Sequence, residues 1–196
     1  MDTVTVMLCG VGGQGTILAA DLLARVAAAA GLDVKLSEVH GMAQRGGSVD
    51  TVVRFGECVH SPLTDPGMVD HLVAFEITEG LRRVHYVKPE GRLLVNPRAI
   101  QPLPVLTGDL PVPHGLQAAL AAEDAVFIDA DTIACRAGSP KSANVVLMGA
   151  LSVGLPFETD LWNEVIALRV PKQTIEANLR AFELGKEACV EGECRP

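Results

Sequence analysis

The sequence predicts an α/β fold: a mostly parallel sheet flanked by helices, with a helical C-terminal part. Apolar strand-like segments alternate with helical ones up to residue 129, and only helical patterns follow. The chain is 48% hydrophobic but only 4% aromatic, so Ala, Val, Leu and Ile must build its core. Such a core suits a parallel sheet buried on both faces. At 196 residues, we expect one compact domain over 1–196.

The predicted elements follow one another with short breaks. A first strand at residues 4–8 runs through a glycine turn into a helix at 15–30, which Gly31 ends. Polar and apolar side chains alternate over residues 48–54, as expected for a strand with one solvent-exposed face. Further strands are predicted at 32–38, 58–60, 71–75, 91–95 and 125–129.

The remaining patterns are helical or irregular. Residues 79–86 are predicted to be helical, and the proline-rich segment 101–114 is predicted to be irregular. A short helix at 131–137 is expected to be capped by Asp131. Three longer helices are predicted at 142–155, 159–170 and 172–189.

Charge and hydropathy exclude several classes of protein. The net charge of −8 and the lack of any run of Lys or Arg argue against a nucleic-acid surface. No apolar stretch reaches the ~20 residues that a membrane-spanning helix needs. The first basic residue is Arg25, so no charged region precedes the apolar start as in a secretory signal. We therefore expect a soluble cytoplasmic protein.

A Gly-x-Gly-x-x-Gly turn joins the first strand to the first helix, as in Rossmann-like folds. Glycines allow a sharp turn and leave the helix amides open to an anionic group. Glu38 lies 23 residues beyond Gly15, where a ribose-binding acid is expected. The alternative is that the glycines only let the helix pack closely on the sheet. The candidate ligand-binding residues are Gly10, Gly12, Gly13, Gln14, Gly15 and Thr16.

A second candidate site is the loop after the second predicted strand, which contains Gln-Arg-Gly-Gly. This loop is not part of the ordinary dinucleotide pattern. An Arg held in a loop by neighbouring glycines presents a fixed fork of N–H donors to a carboxylate or phosphate. The alternative is that Arg45 pairs with a carboxylate at a subunit interface without touching substrate. The candidate residues of this partner-interface or active-site loop are His40, Gln44, Arg45, Gly46 and Gly47.

Two further motifs lie downstream: Asn-x-x-x-x-Gly-Ala beginning at Asn144, and Asn-x-x-Ala-Phe-x-x-Gly beginning at Asn178. With the glycine turn and the Gln-Arg-Gly-Gly loop, they resemble the gamma-type domain of the 2-oxoacid:ferredoxin oxidoreductases, the pyruvate/ketoisovalerate oxidoreductase family. Within that family the loop is most similar to the indolepyruvate type. The resemblance extends from the first strand to about Gly185.

The residues themselves supply no catalytic set. No nucleophile–base pair, paired carboxylates or metal triad stands out, and the five cysteines include no C-x-x-C spacing for a metal or cluster. We therefore predict no catalytic residue and no metal in this chain, and no turnover by the chain alone.

The resemblance implies a subunit whose partner holds the cofactors. In the family a large partner carries thiamine diphosphate, Mg and 4Fe-4S clusters. The complex oxidatively decarboxylates a 2-oxoacid to an acyl-CoA, with CoA as cosubstrate and ferredoxin as electron acceptor. The gamma-type domain shapes or closes the site. Two alternatives stay open: a stand-alone nucleotide- or CoA-binding module using the Gly10–Gly15 turn, and a homodimer of the isolated chain.

Overall fold

The computed structural model describes residues 1–41, 47–101 and 103–191. Within these residues six strands form one sheet in the order β2-β3-β1-β4-β5-β6. β1 pairs in parallel with β4, β4 with β5 and β5 with β6, whereas β3 is antiparallel to both β1 and β2. The strands are β1 (Val4–Val11), β2 (Asp33–His40), β3 (Ser48–Gly56), β4 (Val69–Ala74), β5 (Val87–Val95) and β6 (Val126–Phe127).

Helices cover both faces of the sheet, and the part of the chain after β6 is helical. The predicted fold class is therefore confirmed. The helices are α1 (Thr16–Ala29), α2 (Ile77–Arg83), α3 (Leu103–Leu106), α4 (Leu116–Ala121), α5 (Ala130–Ala137), α6 (Ala143–Ser152), α7 (Thr159–Arg169) and α8 (Ile175–Glu191). None of them in the described part of the chain is long and apolar enough to cross a bilayer.

The central strand β1 contributes side chains to two separate cores, because its side chains alternate between the two faces of the sheet. Val6 and Leu8 belong to a large core shared with α1, α5, α6, α7 and α8, on what we call the first face. Met7 and Cys9 belong to a smaller core shared with α2 and α4, on the second face. All four side chains are buried, so β1 lies at the centre of the layered structure.

Helices α6 and α8 cross on the first face with their backbones in contact. A Cβ built on Gly149 would lie 2.0 Å from the carbonyl oxygen of Phe182. A Cβ built on Gly185 would lie 2.1 Å from the carbonyl oxygen of Val146. Real Cβ atoms do not approach backbone this closely, so only glycine fits at either position. The glycines of the two downstream motifs therefore serve helix packing.

Several details differ from the sequence-based expectations. The segment 101–114, predicted to be irregular, contains the short helix α3, and helix α4 was not predicted. The predicted strand at 58–60 is wrong: the amide of Val59 donates to the Asp33 carboxylate at 2.8 Å instead of entering the sheet. The capping residue of α5 is Asp129, whose side chain accepts from the amide of Thr132 at 3.1 Å. Asp131 lies inside the helix, and its carboxylate reaches other partners.

Replacing Gly149 or Gly185 by Ala should destabilise the chain strongly. Each added methyl would meet backbone that no rotamer change can move, so we expect a loss of about 3 kcal/mol or more in the free energy of unfolding. For a chain of this length, that loss lowers the melting temperature by roughly 6–12 °C. Gly41→Ala is the matched control, because no described residue lies within 4 Å of its Cβ position. A Gly149→Ala variant that melts like the wild type would contradict the close crossing.

Candidate functional site

The glycine turn lies at the carboxyl edge of the sheet, directly after β1. Gly13 and Gly15 have φ angles of +100° and +79°, a conformation that side-chain-bearing residues rarely adopt. Gly15 is the N-cap of α1, and no side chain caps this helix. Its first turn also holds no acidic residue. Neither the N-cap residue nor an acid in the first turn therefore supplies an acceptor to the leading N–H groups of α1.

Gln14 braces the turn against the neighbouring strand. Its side-chain oxygen accepts from the amide of Val11 at 2.8 Å, and its nitrogen donates to the carbonyl of Phe75 at 2.9 Å. The ends of β1 and β4 are thereby tied together. A Cβ on Gly10 would lie 2.6 Å from the Gln14 oxygen, so the brace also requires glycine there. Backbone groups already contact both ends of the Gln14 side-chain amide. Its role as a ligand-binding residue stays a prediction.

Asn144 holds the turn from the other side. Its side-chain nitrogen donates to the carbonyl of Gly15 at 3.3 Å, and a Cβ on Gly15 would lie 2.7 Å from that nitrogen. The start of α6 therefore packs directly on the glycine turn. Asn178, the corresponding residue of the other downstream motif, donates to the carbonyl of Thr174 within its own segment.

Two cavities flank the glycine turn. The first, about 470 Å³, lies between the turn and the end of β2 and is lined by Glu38 and His40 among others. Because β3 lies between β1 and β2, Glu38 is one strand spacing, about 4.8 Å, further from the turn than it would be beside β1. The cavity is nevertheless continuous between the glycines and the acid.

The second cavity, about 530 Å³, lies between the carboxyl ends of β1, β4 and β5. From β1 the chain crosses the first face through α1, and from β4 it crosses the second face through α2. The crevice between these strands is where ligands bind in open α/β sheets. Its wall includes Arg98, which pairs with Asp131 at 2.9 Å, and Lys141. Asn96 donates to the same carboxylate at 3.0 Å.

The ends of the predicted interface loop lie beside the turn. The amide of Gly41 donates to the carbonyl of Ser48 at 3.1 Å, and the amide of Gly12 donates to the carbonyl of Gly47 at 2.8 Å. His40 closes β2 at the same edge. The predicted residues Gln44, Arg45 and Gly46 lie outside the described residues, so their roles stay predictions.

A buried carboxylate that contacts Ser48 is absent from the sequence-based predictions. Glu79 of α2 is only 4% exposed and accepts the hydroxyl of Ser48 at 2.6 Å. Arg82 donates to its other oxygen at 2.9 Å. No local pattern could reveal this pair, because Ser48 and Glu79 are 31 residues apart and on different layers.

The described residues contain no group of three His, Cys, Asp or Glu side chains placed to hold a metal ion. The thiol of Cys9, next to the glycine turn, is fully buried, and its pKa is raised well above the usual value. Burial is the main cause, and the carboxylates of Asp50 and Glu79 add to it. The thiol is therefore protonated and is not a nucleophile.

Residues 5–188 match the pyruvate ferredoxin/flavodoxin oxidoreductase family. The chain belongs to this family. It is 40% identical to the indolepyruvate oxidoreductase subunit IorB of Thermococcus kodakarensis, over 97% of this chain and 98% of that one. The predicted family resemblance is thereby confirmed.

Solved structures of the family share the fold. The gamma subunit of a keto/oxoacid ferredoxin oxidoreductase from Geobacter sulfurreducens superposes with a TM-score of 0.71 at 24% identity, covering 96% of this chain and 99% of that one. The 2-oxoglutarate:ferredoxin oxidoreductase of Magnetococcus marinus, solved with 2-oxoglutarate, coenzyme A and succinyl-CoA, gives a TM-score of 0.75 at 23% identity. It covers 97% of this chain but only 32% of that longer one.

Replacing Gln14 by Glu should destabilise the isolated chain. A carboxylate still accepts from Val11 but has no hydrogen for the Phe75 carbonyl, so two oxygens face each other in a partly buried site. We expect a loss of ~1–3 kcal/mol in the free energy of unfolding, measured by urea denaturation. Gln117→Glu, on the exposed side of α4, is the matched control. Equal stability of the two variants would show that Gln14 is not a brace.

Proposed function

We propose that this chain is the small subunit of a 2-oxoacid:ferredoxin oxidoreductase of the indolepyruvate type and works in the cytoplasm. The complex would convert a 2-oxoacid and CoA to an acyl-CoA and carbon dioxide, with electrons passed to ferredoxin. Thiamine diphosphate, Mg and the 4Fe-4S clusters belong, in this proposal, to a large partner subunit. The chain itself, as a single domain, shapes or closes the partner's site.

The observation that carries the proposal is the similarity to an indolepyruvate oxidoreductase subunit over almost the whole of both chains. The carboxyl edge of the sheet supports it. Both cavities, the glycine turn and both ends of the loop meet at this edge. A preformed surface of this kind suits a subunit that completes another subunit's site.

Exposed apolar side chains at the same edge also favour docking. Ile17 in the first turn of α1 is 56% exposed, and Val39 near the end of β2 is 64% exposed. They lie close to the loop ends and the first cavity. The Magnetococcus chain, about a third of which has this fold, supports a larger neighbour for the domain.

The alternative is a stand-alone nucleotide- or CoA-binding module. The continuous cavity from the glycine turn to Glu38 is the observation in its favour. The displacement of Glu38 by the intervening strand β3 speaks against the ordinary dinucleotide geometry. A stand-alone module would bind CoA or a nucleotide without a partner, and calorimetry on the isolated chain distinguishes this from the subunit function.

Reconstitution with the large subunit tests the proposed function directly. Co-expression should give a stable complex that reduces a viologen dye in the presence of indolepyruvate and CoA. The isolated chain should show no such activity, because the proposal places thiamine diphosphate and the clusters on the large subunit. Comparable dye reduction by the isolated chain, or no complex with the large subunit, would contradict the proposal.

Arg45→Lys should impair the complex although the charge is retained. Lys lacks the planar fork of donors, so we expect about a tenfold loss in assembly or in apparent affinity for the oxoacid or CoA, the equivalent of one charged hydrogen bond. The melting temperature of the isolated chain should change little. Arg180→Lys, at an exposed position of α8, is the matched control. A lowered melting temperature with normal turnover of the surviving complex would instead make Arg45 a structural residue.

A further inference from the structure

We infer that Asn96 is a positioning residue, which acts through Asp131 on Arg98 at the wall of the second cavity. Arg98 thereby presents its guanidinium to an anionic group, a phosphate or a carboxylate, on a ligand of the complex. The inference rests on the proposed function, because it gives this cavity a part in turnover. Asn96 is only 3% exposed, so its effect passes through the Asp131 carboxylate.

The second cavity carries an excess of positive charge, although the chain as a whole is acidic. Its charged lining residues are two cations, Arg98 and Lys141, and one anion, Asp131. The whole chain, in contrast, has a net charge of −8. A concave site of opposite sign to the rest of the surface attracts anionic ligands.

Arg98 is held at both its backbone and its side chain. Its carbonyl accepts from the amide of Ile77, at the start of α2, at 2.9 Å. Its Nη1 donates to one oxygen of Asp131 at 2.9 Å. The Arg98 side chain is 50% exposed and would otherwise adopt many rotamers. The bond to Asp131 therefore decides where the other N–H donors of the planar fork lie.

The local needs of helix α5 do not account for the contacts of Asp131. The N-cap of α5 is Asp129, whose side chain accepts from the amide of Thr132 at 3.1 Å. Capping is therefore supplied without Asp131. The two oxygens of Asp131 have different partners: Arg98 contacts one, and the side-chain nitrogen of Asn96 donates to the other at 3.0 Å.

Asn96 holds that carboxylate from a fixed position directly after β5. Its side-chain oxygen accepts from the amide of Ala130, the first residue of α5, at 3.3 Å. Its side-chain nitrogen donates to the carbonyl of Phe75, next to the end of β4, at 3.4 Å as well as to Asp131. A buried amide bound at both ends cannot turn without leaving polar groups unpaired. Asp131 therefore faces a donor that does not move.

The first experiment needs no activity and uses the whole isolated chain. Phenylglyoxal modifies arginine side chains, and mass spectrometry of the peptide that contains Arg98 gives the rate at that residue. Asn96→Asp keeps the acceptor for Ala130 but replaces the donor to Asp131 by a second carboxylate oxygen. Because Arg98 then loses its fixed partner, we expect its modification to be about fivefold faster than in the wild type.

Asn178→Asp is the matched control for this experiment. Asn178 is 7% exposed, and its side-chain nitrogen also donates to a backbone carbonyl, but it lines neither cavity. This variant should leave the Arg98 rate within about twofold of the wild type. Asn96→Ser, which adds no charge and is too short to reach Asp131, gives the same comparison as Asn96→Asp if that variant does not fold. An unchanged Arg98 rate in the Asn96 variant, or an equal rise in the control, would overturn the inference.

The second experiment uses the reconstituted complex and varies the oxoacid and CoA separately. Asn96→Ser and Arg98→Ala should each raise KM for one of the two substrates about tenfold, with kcat within about twofold and assembly retained. A raised KM for CoA identifies a phosphate as the group at Arg98. A raised KM for the oxoacid identifies a carboxylate.

A double variant separates positioning from a general loss of stability. In an Arg98→Ala background, Asn96→Ser should add no further rise in KM, because both changes act on one side chain. Asn178→Asp should leave both KM values unchanged. Independent, additive losses, or a lowered melting temperature with normal KM values, would make Asn96 merely structural.

The two failures are distinguishable. A wild-type complex that does not assemble or turn over contradicts the proposed function, while the modification experiment still decides whether Asn96 holds Arg98 in place. An active wild-type complex in which Arg98→Ala has normal KM values for both substrates overturns the inference alone.

Discussion

The antiparallel pairing of β3 with β1 determines the arrangement of the carboxyl edge. Eight residues of β1 pair with eight of β3, from Val4 opposite Phe55 to Val11 opposite Ser48. This register brings the start of β3 to the end of β1, where the glycine turn begins. The loop before β3 must therefore emerge beside the turn, and β2 is displaced to the edge of the sheet. The first cavity and the position of both loop ends depend on that one pairing.

The same pairing changes what the glycine turn can do. In a dinucleotide-binding fold the second strand lies beside the first and brings its acid close to the turn. Here β3 occupies that place, so the glycine pattern is retained while the distance to Glu38 grows. The contacts of Gly10 with Gln14 and of Gly15 with Asn144 give the glycines a packing role that needs no ligand. The motif is thus compatible with a subunit that completes a partner's site.

Local signals in the sequence were sufficient for most elements but not for their pairing. The helix predicted at 15–30 is observed as Thr16–Ala29, because a glycine turn and an apolar 3.6-residue period are local features. The place of β3 between β1 and β2, the Ser48–Glu79 bond and the brace made by Gln14 depend on contacts between distant segments. The capping of α5 by Asp129 instead of Asp131 was missed because two acids stand next to the same helix start.

The close crossing of α6 and α8 has a mechanical consequence for the site. Backbone rests on backbone at Gly149 and Gly185, and Asn144 joins the same pair of helices to the glycine turn. At these two glycines a shift of either helix cannot be absorbed by a change of side-chain rotamer. The helices behind the glycine turn therefore form a firm support for it.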